Sequence, residues 1–370
     1  MSATAPRGIR LAVDAMGGDH GPSEVVPGSL DHARAHPEDH VLLVGDPARI
    51  REHAGGALPA NVEIVPASQV IEMDEHPAMA LREKKDSSIT VGCDLVKAGR
   101  ADAIVTAGHT GAAMAAAVLR IGRLAGVDRP ALAVQMVREG RPFVLLDIGA
   151  NPDSTAENLL QYARMGAIFA ERVIGVPNPR VALLSIGEEK GKGDARIQRA
   201  TELLDASDLR FVGNVEGKDL VSDHADVVVT DAVTGNVVIK FFEGLSTFIF
   251  DLWRAEFQRG IRGKLAYLLL RAGIGRIRKV FDYETAGGSP LLGVKGAVII
   301  THGRARRRMV GFACAVAAET ARTNVPGRIA GALIEDAARR GAAPPPAPDS
   351  ADALGTAAAD AEAARAASAS

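Results

Sequence analysis

Short, continuously apolar runs alternate with longer segments of helical periodicity over most of the chain. The apolar runs are rich in β-branched residues and predict buried strands at IRLAV, HVLLVG, VEIVPA, DAIVTAG, ALAVQMV, FVLLDIG, RVALLSIG and ADVVVTD. The segments between them predict helices at 23–36, 46–54, 78–99, 110–124, 155–173, 194–206 and 235–260. Strands that are apolar on both faces and alternate with helices predict an α/β fold, with a mainly parallel sheet flanked by helices.

Polar, glycine-rich loops follow five of the predicted strands. In an α/β sheet the ligand crevice lies outside the carboxyl ends of the strands. We therefore expect these loops to meet at one edge and to form a single site for a small anionic ligand. The loops are DAMGGDHG at 14–21, TAGHTGA at 106–112, LDIGANPD at 146–153, SIGEEKGKG at 185–193 and VTDAVTGN at 229–236.

The loops at 106–112 and 229–236 each lead directly from a strand into a predicted helix, and each carries glycine at the junction. The unsatisfied amides and the positive dipole at a helix N-terminus favour anions, and glycine lets the backbone come close to them. Neither G-x-x-x-x-G-K-[ST] nor G-x-G-x-x-G occurs in these loops, so the sequence gives poor support for nucleotide binding. The same glycines are also compatible with plain tight turns between strand and helix.

Several titratable side chains lie in the loops. Asp14, Asp19 and His20 are compatible with three roles: ligands of a divalent metal, a helix cap, or a general acid/base at a phosphate site. His109 and His302 each lie beside glycine at a strand end, as donors to a ligand or as ordinary loop histidines. Lysines beside glycine or serine could neutralise an anionic substrate or lie on a solvated surface; they include Lys85, Lys192 and Lys240.

Composition narrows the class of protein. The chain has 370 residues, 47% of them hydrophobic and 24% charged, which describes a soluble globular protein of one or two domains. Its net charge of −2 argues against nucleic acid as a partner. Two cysteines cannot form a disulfide framework and fit a reducing cytoplasm. The first ten residues have no apolar stretch, so no secretory signal is expected, and neither is a membrane span.

Two segments in the C-terminal third differ in composition from the rest of the chain. Between Glu256 and Asp282 the charged residues are all basic, in the pattern of an amphipathic helix. This basic stretch predicts contact with a membrane surface or an acidic partner, or packing between subunits. Its candidate contact residues are Arg262, Lys264, Leu269, Leu270, Arg271, Arg276 and Arg278. From 341 to 370 an Ala/Pro-rich segment without large apolar residues predicts a disordered tail.

The segments AVDAMGGDHGP, AGHTGA, LLDIGAN, VVVTDAVTGNVVIKFFEG and GGSPLLGVKGAVIITHG resemble the bacterial phosphate acyltransferase family in order and spacing. The resemblance runs from about Ile9 to Arg340. It implies a catalytic domain at 7–340 with two intertwined α/β lobes, similar to isocitrate and isopropylmalate dehydrogenases, and a helical hairpin at about 240–283. It also implies a homodimer, and we expect neither a cofactor nor a metal. The implied reaction moves a fatty acyl group from acyl carrier protein to inorganic phosphate, and the acyl phosphate then serves phospholipid synthesis.

The family's signature positions, together with the chemistry expected of the loops, give the expected site residues. We expect His20, His109 and Lys192 to be catalytic. The expected phosphate- and substrate-binding residues are Asp14, Gly17, Gly18, Asp19, Lys85, Ser88, Thr110, Gly111, Asp147, Asn151, Thr234, Asn236, Lys240, Gly288 and His302. This chain departs from the family pattern in three places. His109 replaces the usual Asn, Ser289 replaces Ala, and arginines follow His302–Gly303 where the family tends to carry serines.

The predicted chemistry is direct attack of phosphate on a thioester. Phosphate needs little activation and thiolate is a good leaving group, so positioning and oxyanion stabilisation would suffice without a covalent acyl-enzyme. Neither G-x-S-x-G nor a Cys–His pair is present, which fits this mechanism. The alternatives are a short-chain phosphotransacylase using acyl-coenzyme A, a metal-dependent phosphohydrolase, a nicotinamide dehydrogenase and a non-catalytic membrane scaffold. Peripheral membrane contact and a downstream membrane acyltransferase are further expected partners.

Overall fold

The computed structural model describes residues 8–138, 141–280, 284 and 287–339, so the predicted tail lies outside the described residues. Within these ranges, eleven strands form one sheet. The strands are β1 Arg10–Asp14, β2 His40–Gly45, β3 Val62–Pro66, β4 Ala103–Thr106, β5 Ala131–Arg138, β6 Arg141–Leu146, β7 Val181–Leu184, β8 Phe211–Val215, β9 Val227–Val229, β10 Ser289–Leu292 and β11 Ala297–Ile300. The helices are α1 Gly21–Ala35, α2 Pro47–His53, α3 Pro77–Glu83, α4 Ser88–Lys97, α5 Thr110–Ala116, α6 Ala156–Phe169, α7 Ala195–Asp205, α8 Ala232–Phe257, α9 Gly260–Val280, α10 Arg307–Arg322 and α11 Val325–Arg339.

The sheet is mixed, and its two halves run in opposite directions. The strand order is β3-β2-β1-β4-β11-β10-β5-β6-β9-β7-β8. Most neighbours are parallel, which confirms the mainly parallel sheet, but β10 is antiparallel to both β11 and β5, and β5 is antiparallel to β6. The carboxyl ends of β1, β4 and β11 therefore belong to one set, and those of β6, β7 and β9 to another. The expectation that all five loops share one edge is wrong for this reason.

Both faces of the sheet are covered. Along β1, Leu11 and Val13 belong to one hydrophobic cluster, while Ala12 between them belongs to another. Along β6, Leu146 and Leu145 are likewise divided between two clusters. Because neighbouring residues of a strand point to opposite faces, each half of the sheet is packed on both sides. This explains the continuously apolar runs in the sequence.

The predicted elements are present, but the structure has more strands and helices than were predicted. All eight predicted strands are present, whereas β8, β10 and β11 were not predicted. The helix predicted at 78–99 is two helices, because Lys84 ends α3 and the hydroxyl of Ser87 caps α4 by accepting from the Thr90 amide at 3.3 Å. The sequence analysis also missed α10 and α11.

Helices α8 and α9 follow each other at the surface in the region of the predicted excursion. They contact each other near their junction, where the rings of Phe257 and Tyr267 are 5.6 Å apart. Helix α9 continues through Gly273 and Gly275. The side chain of Arg278 lies outside the described residues.

By length and composition alone, α8 is long and apolar enough to cross a membrane. The sequence analysis did not expect a membrane span. The N-terminal turns of α8 nevertheless belong to the folded body. Gly235 packs on the backbone of Asp147, and Glu243 pairs with Arg304 at 3.2 Å. Helix α8 therefore connects the two halves of the sheet.

Candidate active site

Asp14 organises the loop that follows β1. Its side chain is fully buried, and its Oδ2 accepts from the hydroxyl of Thr106 at 2.7 Å. Its Oδ1 accepts from the amides of Met16 and Gly17 at 3.3 and 3.1 Å. Burial raises the pKa of this carboxyl, against hydrogen bonds from Ser88, Thr106 and the two amides that lower it. Asp14 thus serves as an internal acceptor that fixes the loop.

Glycines bring three strand ends together. A Cβ on Gly17 would lie 2.5 Å from Asp14 Oδ2 and 2.7 Å from the Gly108 amide nitrogen, so no side chain fits there. Gly18 has φ +89°, and a Cβ on Gly18 would lie 2.8 Å from the carbonyl oxygen of Gly303. The Asp19 amide donates to the same carbonyl at 2.7 Å. The loops after β1, β4 and β11 therefore form one group, here called the first loop cluster.

A metal centre at Asp14, Asp19 and His20 finds no support in the described residues. The ligand group that the described part of the chain does contain is His36, Glu38 and Asp39, at the far end of α1. There Asp39 already accepts from the Ile9 amide at 2.9 Å. Its carboxylate therefore has a structural function.

His109 caps helix α5. Its Nδ1 accepts from the amides of Gly111 and Ala112 at 3.1 and 3.4 Å. Burial lowers the pKa of His109, against a smaller raising effect of Glu75. The cap assigns the neutral tautomer, with the proton on Nε2, because a protonated Nδ1 could not accept. An asparagine side-chain oxygen can fill the same acceptor position, so the departure from the family pattern preserves the cap.

The neighbouring lysines Lys84 and Lys85 differ in their contacts. The ammonium group of Lys84 contacts Glu75 at 2.5 Å and the carbonyl of Val70 at 2.6 Å. Lys85 is exposed and, within the described part of the chain, has no ion pair. Lys85 therefore remains the lysine of this pair that can reach a substrate.

A second loop cluster forms around Asp147, after β6. Its Oδ1 accepts from the amides of Leu132, Gly149 and Ala150 at 3.0, 3.1 and 2.9 Å, and its Oδ2 from Asn151 at 2.8 Å. Burial raises the pKa of Asp147 to about 6, against these hydrogen bonds. Like Asp14, Asp147 holds its own loop in place.

The N-terminus of α8 sits directly on this second cluster. Asp231 Oδ1 accepts from the Thr234 amide at 3.0 Å, and its Oδ2 accepts from the Thr234 hydroxyl at 2.8 Å. Arg196 of α7 donates to the same Oδ2 at 3.1 Å. Asn236, two residues after Thr234 in the helix, is half-buried. The Asp231 cap thereby joins the start of α8 to α7.

The loop after β7 carries Lys192. A Cβ on Gly187 would lie 2.8 Å from Lys192 Cγ, so the side chain of Lys192 packs across the loop. The backbone amide of Lys192 donates to the carbonyl oxygen of Glu189 at 2.9 Å. Lys192 is exposed and has no ion pair within the described residues. The nearby hydroxyl of Ser185 is buried and has no hydrogen-bond partner among the residues that the structure describes.

Helix α8 links the two loop clusters. Its Lys240 and Glu243 side chains pair at 3.5 Å, and Glu243 contacts His302 Nε2 at 3.3 Å. From Thr234 to Glu243 the helix rises roughly 14 Å. The loops that were expected at one edge therefore form two clusters that face the same segment of α8.

The remaining expected residues pack within the fold or lie on its surface. Gly288 has φ +155° and packs against Ile299 and Thr301. Thr110 begins α5 and Gly111 packs on Pro77. The described contact residues of the basic stretch, Arg262, Lys264, Leu269, Leu270, Arg271 and Arg276, are all exposed on α9.

The arginines after His302 are ion-paired within the chain. Arg306 pairs with Glu24 at 3.5 Å, Arg307 with Asp31 at 2.5 Å, and Arg308 with Glu284 at 3.2 Å. Two of these carboxylates belong to α1, so these arginines mainly attach the start of α10 to α1.

Sequence reasoning missed residues that act between segments, namely Thr106, Arg196, Asp231 and Glu243. Asp231 carried a usable signal, since it lies three residues before Thr234 at the end of an apolar run, which is the spacing of a helix cap. The others depend on contacts between distant segments.

The fold resembles that of known phosphotransacylases. A phosphotransacetylase from Streptococcus pyogenes superimposes with a TM-score of 0.58 at 18% identity, covering 85% of this chain and 94% of that one. The EutD phosphotransacetylase from Staphylococcus aureus gives a TM-score of 0.56 at 15% identity, covering 86% and 95%. The molecule is thus an α/β protein of this fold class, with its candidate site built from loops at the strand ends.

Sequence comparison defines the family. The family model described as "Fatty acid synthesis protein" matches residues 9–328. The phosphate acyltransferase of Desulfitobacterium hafniense (strain DSM 10664 / DCB-2) is 48% identical over 313 residues, which cover 84% of this chain and 93% of that protein. The phosphate acyltransferase of Myxococcus xanthus (strain DK1622) is 47% identical over 305 residues, or 81% and 86%. The chain belongs to this phosphate acyltransferase family and is an acyltransferase.

Proposed function

We propose that the protein transfers a fatty acyl group from acyl carrier protein to inorganic phosphate, and that the acyl phosphate serves phospholipid synthesis. The observation that carries the proposal is the 48% identity, over 84% of the chain, with a relative named for phosphate acyl transfer. The two loop clusters, with the exposed ammonium groups of Lys85 and Lys192, support an anionic substrate.

The proposed reaction is one displacement step. A phosphate oxygen bonds to the thioester carbon, the C–S bond breaks, and the sulfur leaves as thiolate and gains a proton. Both cysteines are buried, and burial raises the pKa of Cys93 and raises that of Cys314 to about 12, so neither favours a nucleophilic thiolate. This supports direct attack by phosphate.

Hydrogen bonds within the loops support one choice among the groups that could hold the phosphate. The amides of Gly17, Gly111 and Thr234 already donate to Asp14, His109 and Asp231. We therefore assign phosphate binding to side chains rather than to these amides. The candidate residues are Lys85 and His20 beside the first loop cluster, and Lys192 and Asn236 beside the second.

The basic side chains of α9 support an acidic protein as acyl donor. Arg262, Lys264, Arg271 and Arg276 are exposed and have no acidic partner within the described residues. Such a surface steers an acidic partner and raises its association rate. We propose that acyl carrier protein docks here, and that exposed Leu269 and Leu270 contact a membrane, where a membrane acyltransferase would take up the product.

An apolar stripe on α8 supports a homodimer. Its members recur at helical spacing on one face and are all exposed: Val233, Val237, Phe241, Leu245, Phe248 and Leu252. A continuous exposed apolar surface of this kind is typical of an interface, and most soluble oligomers are symmetric copies of one chain. We propose that a second copy covers the stripe.

The direct test is to incubate purified protein with acyl-acyl carrier protein and phosphate, and to trap acyl phosphate as hydroxamate with hydroxylamine. We expect hydroxamate that depends on phosphate, persists with chelator, and forms more slowly from acyl-coenzyme A. Preference for short acyl-coenzyme A would favour the phosphotransacylase alternative, and loss of activity with chelator would favour the metal-dependent one. A stable acyl-protein adduct would contradict direct attack.

A further inference from the structure

Glu243 is the shared partner of three cationic or basic groups from two elements. Its carboxylate contacts His302 Nε2 at 3.3 Å, Arg304 at 3.2 Å and Lys240 at 3.5 Å. The Glu243 side chain is only 14% exposed, whereas Lys240 and Arg304 are 60% and 52% exposed. A carboxylate that is buried to this extent on a surface helix needs its partners, and His302 is the most enclosed of them.

His302 lies between two residues that are bound to the first loop cluster. On one side, the Thr301 amide donates to the Thr106 carbonyl at 2.9 Å. On the other, the Gly303 carbonyl accepts from the Asp19 amide at 2.7 Å. The imidazole therefore stands where the loops after β1 and β4 meet α8.

Burial and three charged neighbours act on the pKa of His302. Burial lowers the pKa of His302, and Lys240 and Arg304 lower it further, whereas the negative charge of Glu243 raises it. Asp19 lies next to Gly303 and adds a further negative charge from the loop after β1. The contact with Glu243 favours the tautomer that donates from Nε2, which leaves Nδ1 unprotonated and basic.

We propose that Glu243 is a positioning residue for His302, orienting its imidazole so that Nδ1 carries the proton between phosphate and sulfur. This role rests on the proposed function. Monohydrogen phosphate gives its proton to Nδ1 as its oxygen bonds to the thioester carbon. The C–S bond breaks, and the imidazolium then returns the proton to the departing thiolate. Atoms and charge balance, and no other reactant is needed. Glu243 stabilises the imidazolium while it exists, as the carboxylate does in histidine–carboxylate pairs.

The test compares Glu243→Gln, His302→Gln and the double variant with the wild type, using full-length protein. Glu202→Gln is the matched control, because Glu202 is an exposed acid of α7 paired only with Arg199 in the described residues. Two readouts are taken over pH 4.5–8.5: the rate of hydroxamate formation, and the NMR titration of labelled histidine, with the His302 signal assigned by its loss in His302→Gln.

We expect His302→Gln to lower kcat by about 10²-fold or more, as removal of a general acid/base does. Glu243→Gln should lower kcat less, shift the acid limb of the kcat profile to lower pH, and shift the His302 titration in the same direction. The double variant should be no slower than His302→Gln, because Glu243 acts through His302. Circular dichroism should show all variants folded.

A His302 titration that does not move in Glu243→Gln, or that moves equally in Glu202→Gln, overturns the proposal. So does a double variant much slower than His302→Gln alone. Absence of hydroxamate from the wild type would instead contradict the proposed function, and the NMR titration would still decide whether Glu243 controls His302.

Discussion

Gly235 of α8 lies against the carbonyl oxygen of Asp147, so close that a Cβ on Gly235 would be 1.9 Å from that oxygen. The contact joins the loop after β6 to the helix that carries Glu243. It therefore sets where α8 begins and, through the helix, the distance between the two loop clusters.

Replacing Gly235 with alanine should displace α8 from the Asp147 loop. Overpacking of this kind typically costs about 1–3 kcal/mol, and the shift should also lower activity strongly, because Glu243 moves with the helix. Gly244→Ala is the matched control, since a Cβ there meets nothing within 4 Å, and helix propensity should make it neutral or stabilising. Urea unfolding and hydroxamate assays would measure both; equal behaviour of the two variants would contradict the prediction.

The His109 cap predicts a pH-dependent stability. The folded-state pKa of His109 is lowered, so between that value and the unfolded value the unfolded chain binds more protons. Stability from this cap is therefore present above about pH 6.5 and is lost as the pH falls toward the folded pKa.

His109→Asn should keep a cap and remove its titration. We expect wild type and His109→Asn to be similar in urea at pH 7.5, and the wild type to lose more stability at pH 5, by up to about 1 kcal/mol, the usual worth of a cap. His53→Asn, at the surface of α2, serves as the control. An identical loss of stability in wild type and His109→Asn would refute the cap's pH dependence.

The strands were predictable because both faces of the sheet are buried. A continuously apolar run such as HVLLVG therefore indicates a strand within a few residues. The loops at their ends were predictable from glycine and polar residues. Strand direction was not, because the reversal occurs at β10 and β5, and β10 pairs with residues far away in sequence. The Glu243–Arg304 contact joins residues 61 apart, and no local pattern indicates it.

Lys192 is proposed to hold phosphate. Lys192→Ala should raise the phosphate KM at least tenfold, with a smaller change in the KM for acyl donor, since the ammonium group stabilises bound phosphate. Lys190→Ala, two residues earlier, is the control, because its ammonium group already contacts Asp205 at 2.5 Å on the exposed side of the loop. An unchanged phosphate KM in Lys192→Ala would remove this lysine from the site.

The apolar stripe of α8 is proposed to bind a second copy. Phe241→Glu should shift the protein from dimer to monomer in sedimentation velocity, because a charge would be buried in the interface. Val221→Glu is the matched control, since Val221 is 62% exposed outside the stripe, close to the 68% of Phe241. A wild type that sediments as a monomer at all concentrations would contradict the homodimer.

The basic surface of α9 is proposed to bind acyl carrier protein. Charge reversal at Arg262 and Lys264 should raise the KM for acyl-acyl carrier protein by about tenfold or more and weaken its salt dependence, because these exposed charges act on association. The KM for acyl-coenzyme A with the same acyl chain should change much less, since a small donor does not need the docking surface. Reversal at Arg49 and Arg51 of α2 controls for net charge. If the KM of both donors rose equally in the α9 variant, the surface would act on the site itself, and the docking role would be wrong.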